Sequence, residues 1–300
     1  MHPVLFTIPG FDFHVRSFGV LLALGFLIGA HIWGRLIARY GEDPEGDPDR
    51  VAAITVAVLI GVVAGGRLFY VIVESLRYLS SEDIHSAGYQ YIHDPLSILK
   101  VWQGGLVMYG GFLGAIFLGM RSAKKHALSP LNALDTGLTA GFVGQAIGRV
   151  GCLLVGDDYG SIVPAGKEGL PFPITIHVPS LEWLQAHPDS LFPHELAGHT
   201  LWATQPWMSA NALCIAAVGI YLLPRRRYVG QVSLVLIMYY AVSRFVIEAF
   251  RGDGIRGLWF GGLVSTSQLI SIVAGLVALT LYWRQRGRNE EVPGGRNLAG

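Results

Sequence analysis

The chain has 300 residues, of which 52% are hydrophobic and only 14% charged, against roughly a quarter charged in an ordinary soluble domain. Its apolar residues come in blocks long enough for a bilayer crossing, about 20 residues each, which favours one helical bundle in lipid over two soluble domains. The formal net charge of +1 leaves no electrostatic reason to expect nucleic acid.

In chain order, the first apolar run starts at Ser17 and has no small-residue cleavage site before Arg35 and Arg39, so it is read as a retained helix with no cleavable signal peptide. Seven spans are expected, at 17–34, 51–73, 104–120, 136–155, 208–223, 230–250 and 261–283. The connections sort by basic residues, which resist translocation. Arg35, Arg39 and Arg50 mark the first, Arg121, Lys124 and Lys125 the third, Arg225, Arg226 and Arg227 the fifth, and Arg284, Arg286 and Arg288 the tail. All four belong on the cytoplasmic side. The fold class expected is therefore an all-α integral membrane protein, a seven-transmembrane-helix bundle with N-out/C-in orientation.

The chain reads as a single membrane domain, 1–300. Segment 74–103 is expected as an outer surface arm with amphipathic helix. Segment 156–207, whose only Lys or Arg is Lys167, is expected as a small extracytoplasmic head, in which PFPITIHVPS (171–180) suits a short strand bounded by prolines. Segment 284–300 reads as a polar, disordered cytoplasmic tail. Cys152 and Cys214 sit in apolar runs without a CxxC or Cys/His context, as structural thiols do.

Arg67, Arg149, Arg244 and Glu248 fall in or at the ends of apolar spans, where an ionised group is costly and faces a polar interior or water. Snorkelling or mutual pairing explains each taken singly. Together they sum to three positive and one negative, which asks for an anion. Tyr240, Arg244 and Glu248 follow at i,i+4 steps with Arg251 three further, so a polar stripe runs down one helical face. Guanidinium forks match phosphate oxygens, and lipid phosphates lie at this depth. Two glycine-rich stretches, GGLVMYGG (104–111) and GRVGCLLVGDDYG (148–160), suit either a cavity or close helix packing.

These motifs resemble the prolipoprotein diacylglyceryl transferase family over nearly the whole chain. The resemblance is carried by GGRLFYV (65–71), VWQGGLVMYGG (101–111), GRVGCLLVGDDYG, the YxxxRxxxExxR run from Tyr240 to Arg251, and SQLIS (267–271), in the family's order. It implies a bacterial inner-membrane, multi-pass enzyme. The implied reaction moves the diacylglyceryl group from phosphatidylglycerol to the lipobox cysteine of a prolipoprotein signal peptide, forming a thioether and releasing glycerol phosphate. The implied partners are these two substrates and the bilayer; no cofactor, metal or nucleic acid is expected.

The resemblance further implies Arg149, Arg67, Tyr240, Gly104, Gly105, Gly110 and Gly111 in substrate binding, and Tyr109, Arg244, Glu248 and Asp157 in catalysis. Several signature positions depart from the family pattern. Tyr109 stands for a histidine, and a phenol, with a pKa of about 10, is a poorer base than imidazole at neutral pH. Cys152 and Val155 stand for asparagines, Asp157 for a glutamate, ATQPWM (203–208) for PSQLYE, and Ser17, Phe18, Gly19 for WYG. Asp157, Asp158 or Tyr109 would then share the proton transfer. The alternative is a catalytically altered member that binds anionic lipid or transports a solute.

Two further features read as decoys. In HELAGH the spacing of His194 and His199 is five, where a zinc-protease helix needs i and i+4. His31 reads as an interior polar group.

Overall fold

The computed structural model describes residues 1–8, 10, 13–81, 87–101, 104–253, 257–259 and 262–294. In chain order these form β1 (Val4–Ile8), β2 (Phe13–Arg16), α1 (Ser17–Tyr40), α2 (Asp47–Ser81), α3 (Ala87–His93), a 3-10 turn (Pro95–Leu99) and α4 (Met108–Lys125). Then come α5 (Pro130–Val155), β3 (Thr175–His177), α6 (Leu181–Ala186), β4 (Thr200–Trp202), α7 (Thr204–Leu222), α8 (Gln231–Glu248), β5 (Leu258–Trp259), β6 (Val264–Ser265) and α9 (Thr266–Gln285). The strands make three two-stranded antiparallel pairs, β1 with β2, β3 with β4 and β5 with β6. The chain divides into two compact units, one of Met1–Leu36 with Asp135–Gly300, the other of Ile37–Leu134.

Six helices among the described residues are long and apolar enough to cross a membrane: Ser17–Tyr40, Asp47–Ser80, Pro130–Val155, Thr204–Arg225, Gln231–Glu248 and Thr266–Gln285. Their outward faces are apolar, with Leu27 63%, Val242 68% and Val273 62% exposed. A surface of that kind is what lipid, and not water, accommodates. The chain is thus a multi-pass membrane protein. The seventh expected span, 104–120, falls on α4, which begins only at Met108 and has 18 residues including Arg121, Lys124 and Lys125. Those basic residues keep it outside the set of six.

Within the larger unit, α1 and α5 cross where Gly25 meets Gly144 and Gly29 meets Ala140; a Cβ on Gly25 would stand 2.5 Å from the Gly144 carbonyl oxygen. Small residues at the crossing allow the backbone contact that drives helix association in lipid. α9 starts on a reciprocal cap: the Ser265 hydroxyl accepts from the Gln268 amide while the Gln268 side chain accepts from the Ser265 amide. In the smaller unit, α2 and α4 cross through Gly61 and Gly65 against Gly110 and Gly114.

Segment 156–207 carries its own small core of Ile176, Val178, Leu184, Phe192, Leu201 and Ala203, and β3 lies inside the proline-bounded 171–180 stretch. The tail departs from the expectation of disorder at its start. Glu290 donates its amide to the Arg227 carbonyl at 2.9 Å, and Arg226 donates to the Pro293 carbonyl at 3.1 Å. Residues 295–300 lie outside the described residues, as do Trp102 and Gln103 of the 101–111 motif and Gly261 at the start of the last expected span.

Candidate active site

α5 ends in a sharp turn. Gly156 at φ +83° and Asp158 at φ +52° occupy the left-handed region, which glycine enters freely and aspartate tolerates. Two side chains from the start of α7 pin that turn. The Thr204 hydroxyl donates to the Asp158 carbonyl and the Gln205 amide donates to the Asp157 carbonyl, each at 2.8 Å. Both residues are fully buried.

The pinned turn delivers Asp158 between two guanidiniums. One oxygen, Oδ2, accepts from Arg149 of α5, and the other, Oδ1, accepts from Arg251, just beyond α8. Arg251 also grips Asp253, with Nε donating to Oδ1 at 2.8 Å and Nη2 to Oδ2 at 2.5 Å. The backbone fixes this meeting too, since Gly160 and Arg251 form an antiparallel bridge and Gly252 donates its amide to the Tyr159 carbonyl at 3.1 Å.

The stripe on α8 closes the cluster. Arg244 Nη2 lies 2.8 Å from Glu248 Oε2, one turn on, and Arg251 Nη1 lies 3.9 Å from the same oxygen. Arg244 also donates to the Met208 sulfur and to the Ser267 hydroxyl of the SQLIS motif, both at 3.3 Å. Tyr240, the first member of the stripe, places its ring 5.6 Å from Phe142. Arg149, Arg244, Glu248 and Arg251 are all buried, so their charges interact with far less screening than on a wet surface.

Read from the spans alone, three positive and one negative side chain left an excess of cations. Asp158 and Asp253, which lie outside the spans, bring the ionised partners of Arg149, Arg244 and Arg251 to three with Glu248. Burial would push the Asp158 carboxyl up, but the charges of Arg149 and Arg251 outweigh it and hold it below the ordinary aspartate value. Burial, reinforced by the negative charge of Asp158, pushes neighbouring Asp157 up. Arg251 is driven still higher, the hydrogen bond to Asp253 and the charge of Asp158 overcoming its desolvation.

In the smaller unit, Arg67 differs from its expected role on phosphate. A guanidinium has five N–H groups, and all five are taken by backbone carbonyls. Nε donates to Ile98 at 2.9 Å, Nη1 to Gly104 at 2.6 Å and Gly105 at 3.3 Å, and Nη2 to Ser97 at 3.0 Å and Lys100 at 3.3 Å. No donor remains for a ligand in this arrangement. Gly104 and Gly105 have φ of +84° and +76°, so the turn that Arg67 holds needs their glycine character. Gly110 and Gly111 sit in the first turns of α4 against α2, with Gly110 at the Gly65 crossing and Gly111 against Val62. Tyr109 is half-buried in the first turn of α4.

Sequence reasoning missed Asp253, and it passed over Thr204, Gln205 and Ser267 as individual residues although they lie in the ATQPWM and SQLIS motifs. Asp253 had a usable signal, an acid two residues from the end of the polar stripe. The two residues at the start of α7 had only their place in the ATQPWM motif, because their partners are carbonyls of a distant turn. Cys152, Asp157 and Asp158 bring ligand atoms within 4.8 Å of one another. The two guanidiniums already on Asp158 make that cluster hostile to a cation. A separate cavity of about 630 Å³ lies beside the end of α5, lined by Leu153, Leu154, Leu170, Phe172, Ile176 and His177 among others, with none of the clustered arginines. Cys152 is buried as expected, whereas Cys214 and His31 lie on exposed faces of their helices. His194 belongs to a 3-10 turn, His194–Leu196, and HELAGH forms no zinc-binding helix.

Comparison with known proteins agrees with these motifs. The family model described as Prolipoprotein diacylglyceryl transferase matches residues 3–284. The chain is similar to the phosphatidylglycerol--prolipoprotein diacylglyceryl transferase of Geobacter sulfurreducens, at 30% identity over 279 residues, covering 93% of each chain. It is also similar to the proteins of that name from Rhodospirillum centenum, 25% identical with 90% of this chain and 87% of the relative covered, and from Pasteurella multocida, 25% identical with 97% and 95% covered. An arginine cluster buried at the end of a membrane helix, in a chain matched over residues 3–284, therefore belongs to a member of the prolipoprotein diacylglyceryl transferase family.

Proposed function

We propose that this chain transfers the diacylglyceryl group of phosphatidylglycerol to the lipobox cysteine of prolipoproteins in the bacterial inner membrane. The observation that carries the reading is the convergence of Arg149, Arg244 and Arg251 on one buried cluster. Family membership supplies the reaction class, and the names of its relatives supply the substrates. In the reaction the cysteine sulfur attacks the glyceryl carbon bonded to the phosphate oxygen. A C–S bond forms, the C–O bond breaks, glycerol phosphate leaves with the electron pair, and the thiol proton passes to a base.

The leaving phosphate gains negative charge, which preorganised guanidiniums in a dry site stabilise strongly. Arg149 binds the phosphate of the lipid, Arg244 clamps it as charge develops, and Glu248 orients Arg244. Asp157 is the base, since its raised pKa brings it nearer the working pH than an ordinary aspartate. Tyr240 shapes the headgroup region beside these arginines. In the smaller unit, the glycines of 104–111 and Tyr109 supply substrate contacts of their own, and Arg67 braces the Gly104 and Gly105 turn.

The same reading takes α4 as a seventh crossing. Its 18 residues extend about 27 Å at 1.5 Å per residue, close to the hydrocarbon thickness, with Lys124 and Lys125 snorkelling at one end. Only with that crossing do all the basic connections fall on one side, which supports N-out/C-in. Segment 156–207 is then an extracytoplasmic head, 74–103 an outer arm and 284–300 a cytoplasmic tail of a single membrane domain.

The test is purified protein with phosphatidylglycerol and a lipobox peptide, read by mass spectrometry for the diacylglyceryl adduct. An adduct that disappears with Arg149→Ala is the expected result. No adduct while phosphatidylglycerol still binds contradicts transfer and favours the altered, lipid-binding member.

A further inference from the structure

Asp158 sits as a phosphate would sit. Its two oxygens are shared between guanidiniums from separate elements, Arg149 on α5 and Arg251 beyond α8. That fork-to-oxygen geometry suits a carboxylate and a phosphate equally. The cluster is charge-balanced only while Asp158 is in place, because Arg149, Arg244 and Arg251 face Asp158, Glu248 and Asp253. A phosphodiester arriving beside a seated Asp158 would be a surplus buried anion, which is costly.

One of those carboxylates is placed to leave. The Asp158 side chain is 21% exposed, whereas that of Glu248 is 1% exposed between Arg244 and Arg251. Asp253 is fixed through both oxygens by the guanidinium of its near neighbour Arg251. The backbone of Asp158, held at φ +52° with its carbonyl tied to Thr204, fixes the hinge about which the carboxylate can swing toward water.

We propose that Asp158 is an exchangeable counter-anion, which holds the seat between Arg149 and Arg251 until the phosphate of the glyceryl substrate or product displaces it. Asp158 and Arg251 thereby determine selectivity for an anionic phosphate. The identity of that phosphate rests on the transferase reading above; the exchange itself does not.

The experiment uses the full chain in a maltoside detergent free of phosphate. Glycerol phosphate binding is measured by calorimetry for the wild type and for Asp158→Asn, which keeps the shape and removes the competing charge. Exchange predicts binding about tenfold tighter in the variant, the worth of one charged hydrogen-bonding competitor. Equal or weaker binding overturns the proposal, because a purely structural Asp158 would leave the arginines misplaced when changed. A second measurement needs no variant and decides the matter if Asp158→Asn fails to fold. Saturating glycerol phosphate should raise hydrogen exchange at residues 156–160 of the wild type as the carboxylate is released; unchanged or slower exchange overturns the idea.

Phosphatidylglycerol in mixed micelles forms a second arm. A shift for the lipid as well as for free glycerol phosphate assigns the seat to the substrate headgroup, and a shift for glycerol phosphate alone assigns it to the leaving product. Both support exchange. A protein that shows the shift but makes no adduct contradicts only the transferase reading.

Discussion

Ser233 donates to Asp135 twice, through its amide at 2.8 Å and its hydroxyl at 2.6 Å. The Gly230 amide adds a third bond at 2.8 Å and Arg226 a fourth at 3.2 Å, with neither member of the ion pair exposed. One carboxylate on α5 thus satisfies the first amides of α8, which a helix start otherwise leaves without partners. Asp135→Ala removes these bonds and uncovers a buried guanidinium, so unfolding in detergent should become easier by about 3–5 kcal/mol. A loss under about 1 kcal/mol, measured by chemical denaturation, would contradict this account.

The relation shows where sequence reading succeeds and stops. Hydropathy located all six of the long apolar helices among the described residues, because lipid demands long apolar runs and little else. The stripe from Tyr240 to Arg251 was legible because i,i+4 spacing is a property of one helix. Asp135 carried no signal in the sequence, since its partners lie 91 to 98 residues away. Arg67 misled for the same reason: a guanidinium meeting carbonyls of residues 97 to 105 leaves no trace in residue type, as every residue has a carbonyl. Asp158 and Asp253 sat beyond the apolar spans, so counting charge within the spans omitted them.

Gly65 should tolerate no side chain. A Cβ there would come within 2.9 Å of the Gly114 Cα and closer still to the Gly110 carbonyl oxygen, and backbone cannot yield as a flexible side chain can. Gly65→Leu is expected to cost at least about 1–3 kcal/mol and to separate α2 from α4. Cysteine cross-linking across that crossing, efficient in the parent and lost in the variant, is the readout.

Arg67→Lys separates a brace from a phosphate ligand. An ammonium offers three donors where the guanidinium uses five, so about 2 kcal/mol or more of stability should be lost and hydrogen exchange at 97–101 and 104–105 should rise. Glycerol phosphate affinity should change by less than about twofold. Weakened binding with unaltered exchange would return Arg67 to the ligand set.

Acid should separate the two adjacent aspartates. Burial alone would raise Asp158, but the Arg149 and Arg251 charges depress its folded pKa. Its contribution is therefore fully present above the unfolded value of about 3.9 and lost as pH falls through the lower folded value. The melting temperature of the wild type should decline below about pH 4, and Asp158→Asn should lack that part of the decline.

Asp157 runs the other way. Burial and then the Asp158 charge raise it, so it favours the folded state below about pH 3.9 and loses that contribution as pH rises through its higher folded value. As the base it must be ionised, and the rate should fall on acidification at a pH above that of an ordinary aspartate. Asp157→Asn should abolish this acid limb and lower kcat by about 10²–10⁴. An acid limb that persists in the variant would assign the proton to another group.

The length of α2 bears on how the enzyme would sense its surroundings. Its 35 residues extend about 52 Å, against a hydrocarbon layer of about 30 Å. A straight rod of that length either tilts or projects roughly 20 Å past the acyl chains. Its Gly88-facing end, where Glu74 and Tyr78 pack on α3, would then ride at a height set by bilayer thickness. Lipid chain length thereby becomes a mechanical input to the α2 and α3 corner, read out as turnover that varies between thin and thick membranes of one headgroup composition.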